Sequence, residues 1–138
     1  MGKENCYTGG DVLVYSCSGG SDVGHVADLS ARKLSKEGFG KKACLAAVGA
    51  HLSRFVELAK GTDLNITIDG CPVSCAKKCL EHIGVNPKSY ILSEMGYVKG
   101  KTPPSDEVVN KVCESIKKGV PSDTKKTTST NNTGKCCC

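Results

Sequence analysis

The sequence predicts a single α/β domain: a mostly parallel sheet of about four strands flanked by helices, followed by a disordered C-terminal tail. Three observations carry this. Short β-branched or apolar runs alternate with segments of helical spacing, Gly, Ser and Pro turns separate them, and residues 122–138 lack hydrophobic side chains until three terminal cysteines. With 138 residues, 38% hydrophobic content, no Trp and 4% aromatics, the chain can build one modest, aliphatic core.

Residues 1–10 are polar and read as a flexible N-terminus that leaves Cys6 exposed. The domain then spans 11–121. Asp11-Val12-Leu13-Val14-Tyr15-Ser16 reads as a buried strand ending at Cys17, and Ser18-Gly19-Gly20-Ser21 as a turn. A helix capped by Ser21 or Asp22 follows to about Glu37, with Val23, Val26, Ala27, Leu29, Ala31 and Leu34 partly in helical register and Gly38 and Gly40 closing it. Residues 44–50 form a short apolar run that fits either a strand or a loop. A second helix over 53–60 turns Phe55, Val56, Leu58 and Ala59 inward.

Residues 65–69 read as the third strand, and a cysteine-rich helix runs from Pro72 to about His82, where Gly84 ends it. Residues 89–93 look like a fourth strand. Pro103-Pro104-Ser105-Asp106 opens a last helix that places Val108, Val109, Val112 and Ile116 on one side and stops at Gly119-Val120-Pro121. The tail, 122–138, is disordered by composition.

The net charge of +5 is mild, and the lysines are scattered or paired without aromatics between them, so nucleic-acid binding is not indicated. The N-terminus lacks the apolar stretch of a signal peptide, and no segment approaches the roughly 20 apolar residues of a membrane-spanning helix. A cytoplasmic protein without a membrane partner is expected. In a reducing compartment, ten cysteines point to metal or redox chemistry rather than to a disulfide framework.

The densest chemistry lies in Asp69-Gly70-Cys71-Pro72-Val73-Ser74-Cys75-Ala76-Lys77-Lys78-Cys79, three thiols at i, i+4 and i+8 after an apolar strand. A strand-to-helix corner faces thiols toward the positive end of the helix, which favours the thiolate that binds metals and attacks disulfides. In parallel α/β sheets ligand sites form beyond the carboxyl ends of strands, and Cys17, Cys71 and Cys75 map to that edge. Cys44 joins them if it lies in a loop at the same end. Four thiolates would complete a closed tetrahedral site of the kind zinc takes.

On a regular helix Cys71 and Cys79 would stand about 12 Å apart along the axis, whereas sulfurs sharing one zinc lie about 4 Å apart. Cys75 must pair with one neighbour; Cys71 is the better partner because it lies at the strand edge beside Cys17, while Cys79, two turns down the helix, reads as a small buried hydrophobe. Cys113, among Val109, Val112 and Ile116, reads as core. Asp69 reads as a helix cap before a ligand-orienting group. The Ser18–Ser21 loop lacks the Lys of a phosphate-binding loop and the Arg of a phosphatase. His25, His51 and His82 have no ligand-like spacing to the cysteines and read as surface or helix-end residues.

The segments Cys17-Ser18-Gly19-Gly20-Ser21-Asp22-Val23-Gly24, Cys44-Leu45-Ala46-Ala47-Val48-Gly49-Ala50 and Asp69-Gly70-Cys71-Pro72-Val73-Ser74-Cys75-Ala76-Lys77-Lys78 resemble the DGC-motif proteins, α/β domains named for Asp-Gly-Cys and held to bind zinc on their cysteine pattern. The resemblance covers roughly residues 11–118. It implies four shared cysteine chelators, here Cys17, Cys44, Cys71 and Cys75; the residues themselves suggest no catalytic group. Cys79, Cys113 and the terminal triplet depart from the shared four.

The expected function is metal binding, with zinc as the cofactor, in a non-catalytic or regulatory module; four sulfurs leave no open position for water. Two alternatives stay open. Cys71 and Cys75, with Cys17, could support thiol–disulfide exchange or an iron-sulfur cluster. Alternatively, Cys79 and Cys136-Cys137-Cys138 could assist trafficking of a soft metal or metalloid. The triplet also has lipidation, which fits the C-a-a-X pattern poorly, and no specific role among its readings. No protein partner is legible.

Overall fold

The computed structural model describes residues 12–120. Within them the order is β1 (Val12–Ser16), α1 (Asp22–Lys36), β2 (Lys41–Lys42), α2 (Leu45–Gly49), α3 (Ser53–Gly61), β3 (Leu64–Asp69), α4 (Cys75–His82), β4 (Lys88–Ile91), a 3-10 turn (Leu92–Met95) and α5 (Asp106–Lys118). The expected N-terminal and C-terminal flexible segments, with Cys6 and Cys136-Cys137-Cys138, lie outside the described residues.

All strand pairs are parallel, in the order β2-β1-β3-β4. β1 is buried throughout, and its alternation feeds both faces of the sheet. Val12 and Val14 meet Val26, Ala27, Ala31 and Leu34 of α1 and Val109, Val112, Cys113 and Ile116 of α5. Leu13 and Tyr15 join Val48 of α2, Ala59 of α3 and Leu80 of α4 on the opposite face. The fold is thus the expected α/β sheet with helices on both sides.

The cap of α1 is Ser21, whose hydroxyl accepts the Gly24 N–H at 3.2 Å. Glu37, just past the helix, pairs with Lys33 and with Lys117, tying the end of α1 to α5. The cap of α5 is Ser105, which accepts from Val108. Cys113 is fully in the core, its Sγ 3.5 Å from the Ser30 carbonyl, as its apolar neighbours predict.

Three elements differ from the sequence reading. The apolar run after Cys44 is neither strand nor loop: it is the short helix α2, and the strand is Lys41–Lys42 just before it, held by pairing with Leu13 and Val14 of β1. α4 starts at Cys75, not Pro72, because Ser74 sits at φ 55 and ψ 49, a left-handed conformation no helix continues through. β4 ends at Ile91, and Leu92 instead opens the 3-10 turn with its side chain buried. Among the described residues no helix is long and apolar enough to cross a membrane.

Candidate metal centre

Chain direction across the sheet places the site. From β1 the chain crosses to β2 through α1 on one face, then passes back over β1 to β3 through α2 and α3 on the other. The loops leaving β1 and β3 therefore part toward opposite faces at the carboxyl edge. Such switch points are where open α/β sheets hold ligands.

Cys17 occupies that point. Its N–H continues the ladder to the Ile68 carbonyl at 3.0 Å, and its Sγ accepts the Gly70 N–H at 3.4 Å. Hydrogen bonds of this kind tune cysteine ligands in metal clusters. Gly70 is buried against the first turn of α1: a Cβ there would lie 2.7 Å from the Gly24 nitrogen and 2.7 Å from the Val23 carbonyl carbon. Only glycine lets β3 exit this close to α1, and the same approach sets Cys71 beside the Cys17 loop.

Cys71 begins a turn in which the Ser74 N–H returns to its carbonyl at 3.1 Å. Cys75 is the first residue of α4 and is exposed. Asp69 fixes where that helix starts: its carboxylate accepts from Ala76 N at 2.8 Å and Lys77 N at 3.1 Å, a task the Ser74 side chain does not perform. Burial pushes the Asp69 carboxyl above its ordinary pKa, against the opposing pull of those two N–H groups and of Lys77 and Lys78.

Cys44 is the N-cap position of α2, directly beyond β2, where the Ala43 N–H still reaches the Val14 carbonyl at 2.9 Å. Cys44, Cys17 and Cys71 therefore follow three adjacent strands, β2, β1 and β3, at one edge of the sheet. All six cysteines of the described residues are free thiols, and Cys17, Cys44 and Cys71 are half-buried. In the side-chain positions seen, no three or more His, Cys, Asp or Glu groups among the described residues cluster tightly enough to hold a metal ion. The four thiols share an edge without closing into a cage.

Sequence reasoning missed Asp28. Its carboxylate accepts from Ser16 at 3.2 Å and Ser18 at 3.0 Å, the two residues flanking Cys17, and pairs with Arg32 at 2.7 Å and Lys42 of β2 at 3.3 Å. Ser18 holds a left-handed φ of 48 in this arrangement. Burial works against the charge of Asp28, yet Arg32, Ser18 and Lys42 together hold its carboxyl down to about 2. One acidic side chain thus pins the Cys17 loop and the strand leading to Cys44. An acid one helical turn before Arg32, the spacing of an ion pair on α1, was the available signal. Asp22, capping its own Val23, also accepts from Gly100 and Thr102 and anchors the 98–102 loop to α1.

The model of the DGC domain family matches residues 13–116, nearly the whole of the described fold. The chain belongs to the DGC domain family. This DGC domain is also 36% identical over 88 residues, covering 63% of the chain and 67% of the relative, to the anaerobic and virulence modulator AnvM of Pseudomonas aeruginosa. No solved structure gives a significant match.

Proposed function

We propose that this DGC domain binds one metal ion, zinc by preference, through the thiolates of Cys17, Cys44, Cys71 and Cys75, and acts as a non-catalytic, regulatory module. The observation that carries this is the placement of Cys44, Cys17 and Cys71 after three neighbouring strands, with Cys75 opening the next helix. Thiolates suit zinc and other soft ions, and because these side chains are exposed or half-buried, a bound ion would have to draw the sulfurs together. The bound ion would supply a crosslink between three loops, and full sulfur coordination leaves no position for a reacting water. Elemental analysis of protein purified without oxygen and dialysed against a weak chelator tests it: about one tightly held metal per chain, lost in Cys17→Ser and Cys75→Ser and kept in Cys113→Ser.

A second reading, a redox response of the same cysteines, is favoured by the exposure of Cys75 and by the name of the AnvM relative, a modulator tied to anaerobic conditions. It predicts a preferred disulfide among Cys17, Cys71 and Cys75 after mild oxidation. Peptide mapping that finds random pairing removes it.

A further inference from the structure

His51, His82 and Cys79 are far apart in sequence or hidden within a helix, yet they line one shallow cleft of about 260 Å³ together with Gly49 and Lys78. α2 and α4 pack on each other, which brings the loop after α2 against the outer face of α4. Cys79 and His82 are three residues apart on α4 and so share a helix face. His51 comes from across the cleft. It sits at φ 58, in the left-handed position that ends α2, with its N–H on the Val48 carbonyl at 3.0 Å. A Cβ on Gly49 would stand 3.7 Å from the Cys79 sulfur, so the end of α2 lies directly over the thiol.

The two imidazoles meet edge to face with ring centroids 5.1 Å apart. Two imidazoles bound to one tetrahedral zinc, each nitrogen at about 2.0–2.1 Å, also have centroids about 5 Å apart. We infer that His51, His82 and Cys79 form a second, open-coordinated site for a zinc-class transition-metal ion, separate from the four-thiolate edge. The three donors do not close around an ion as they stand. The site completes itself by rotation of exposed His51 and His82 and half-buried Cys79.

Imidazole with thiolate is a borderline-soft donor set that suits zinc, and three protein ligands leave a position for water or a transferring ligand. Lys78 lines the same cleft, and its charge opposes a cation. A thiolate at Cys79 offsets that charge. Ion binding here takes Cys79 as the thiolate and so releases the thiol proton.

The test is a titration of the reduced full chain with Zn²⁺ without oxygen, following the ring resonances of all three histidines by NMR. His51 and His82 shift together with one equivalent beyond that taken by the edge cysteines, while exposed His25 stays put. His51→Asn, a residue that tolerates left-handed backbone, removes the His82 response. Cys79→Ser weakens it at least tenfold, and Lys78→Ala strengthens it several-fold. Unmoved His51 and His82 resonances, or an unchanged affinity in Cys79→Ser, overturn the site. So does a response to inorganic phosphate instead of Zn²⁺ that Lys78→Ala abolishes, which marks an anion cleft. The result is independent of the edge thiols, because His51→Asn leaves Cys17, Cys44, Cys71 and Cys75 in place.

Discussion

The carboxylate of Asp69 accepts the backbone N–H of Ala76 at 2.8 Å, seven residues further along the chain. That bond, with its partner from Lys77, folds the Gly70–Ser74 segment into a corner and fixes Cys71 before the helix and Cys75 at its first position. The acid of the Asp-Gly-Cys run is therefore a helix cap that shapes the thiol corner from below.

Removing the cap strands two N–H groups. Asp69→Ala is expected to lower stability by about 1–3 kcal/mol, read from the urea midpoint, with Asp69→Asn intermediate because an amide oxygen still accepts. The pH dependence has a defined sign. Burial raises the folded pKa above the ordinary 3.8, so the folded state takes up the proton first and this group's contribution grows as pH falls toward 3.8. Wild type should thus gain on Asp69→Asn in mildly acidic buffer. A gap that is flat with pH contradicts this.

Asp28 behaves in the opposite way. Its pKa is held down to about 2 from 3.8, so the stability it contributes is present above 3.8 and is lost as pH falls through that interval. Asp28→Asn should cost about 1 kcal/mol near neutrality and less at the acid end of the window, as followed by thermal unfolding across pH. Because Asp28 pins Ser16 and Ser18, the variant should also speed alkylation of Cys17.

Gly70→Ala forces a methyl group into the backbone of Val23 and Gly24, which cannot move aside without shifting α1. A loss of about 1–3 kcal/mol and weakened metal retention are expected, measured by denaturation and by competition with a chelator. The neighbouring Gly20, with open space around its Cβ position, should tolerate alanine at both readouts.

Cys113 separates packing from chemistry. Burial pushes its thiol pKa up and its sulfur lies in the α1–α5 core, so it should be the slowest described thiol to react with iodoacetamide in the native protein. Cys113→Ala should cost about 1 kcal/mol and leave metal content untouched. Mass spectrometry of partly alkylated protein gives the order.

Much of the fold was legible because its signals are local. β1 is a continuous apolar run, and α1 and α5 carry serine caps and apolar stripes. What was hidden depends on contacts across the chain. β2 is two lysines made into a strand only by the edge of β1, so no hydrophobic pattern announces it. α4 starts late because the Asp69 carboxylate reaches Ala76 and Lys77, which overrides the usual preference for proline at a first helical position. Cys17 and Cys71 were placed at the sheet edge from strand ends alone, whereas Asp28 and the His51–His82 pair surface only once helices pack.

The central claim concerns four sulfurs at one edge. Its most direct measurement is the metal content of the full chain purified under anaerobic, reducing conditions, beside Cys44→Ser, the variant at the one thiol of the four that follows the edge strand β2. About one zinc per chain that survives a weak chelator able to empty the open His51–His82–Cys79 cleft, lost in Cys44→Ser with the fold intact by circular dichroism, is the predicted result. Metal-free wild type that takes up none on titration with Zn²⁺, or a Cys44→Ser variant that retains its zinc in full, would contradict the four-thiolate site.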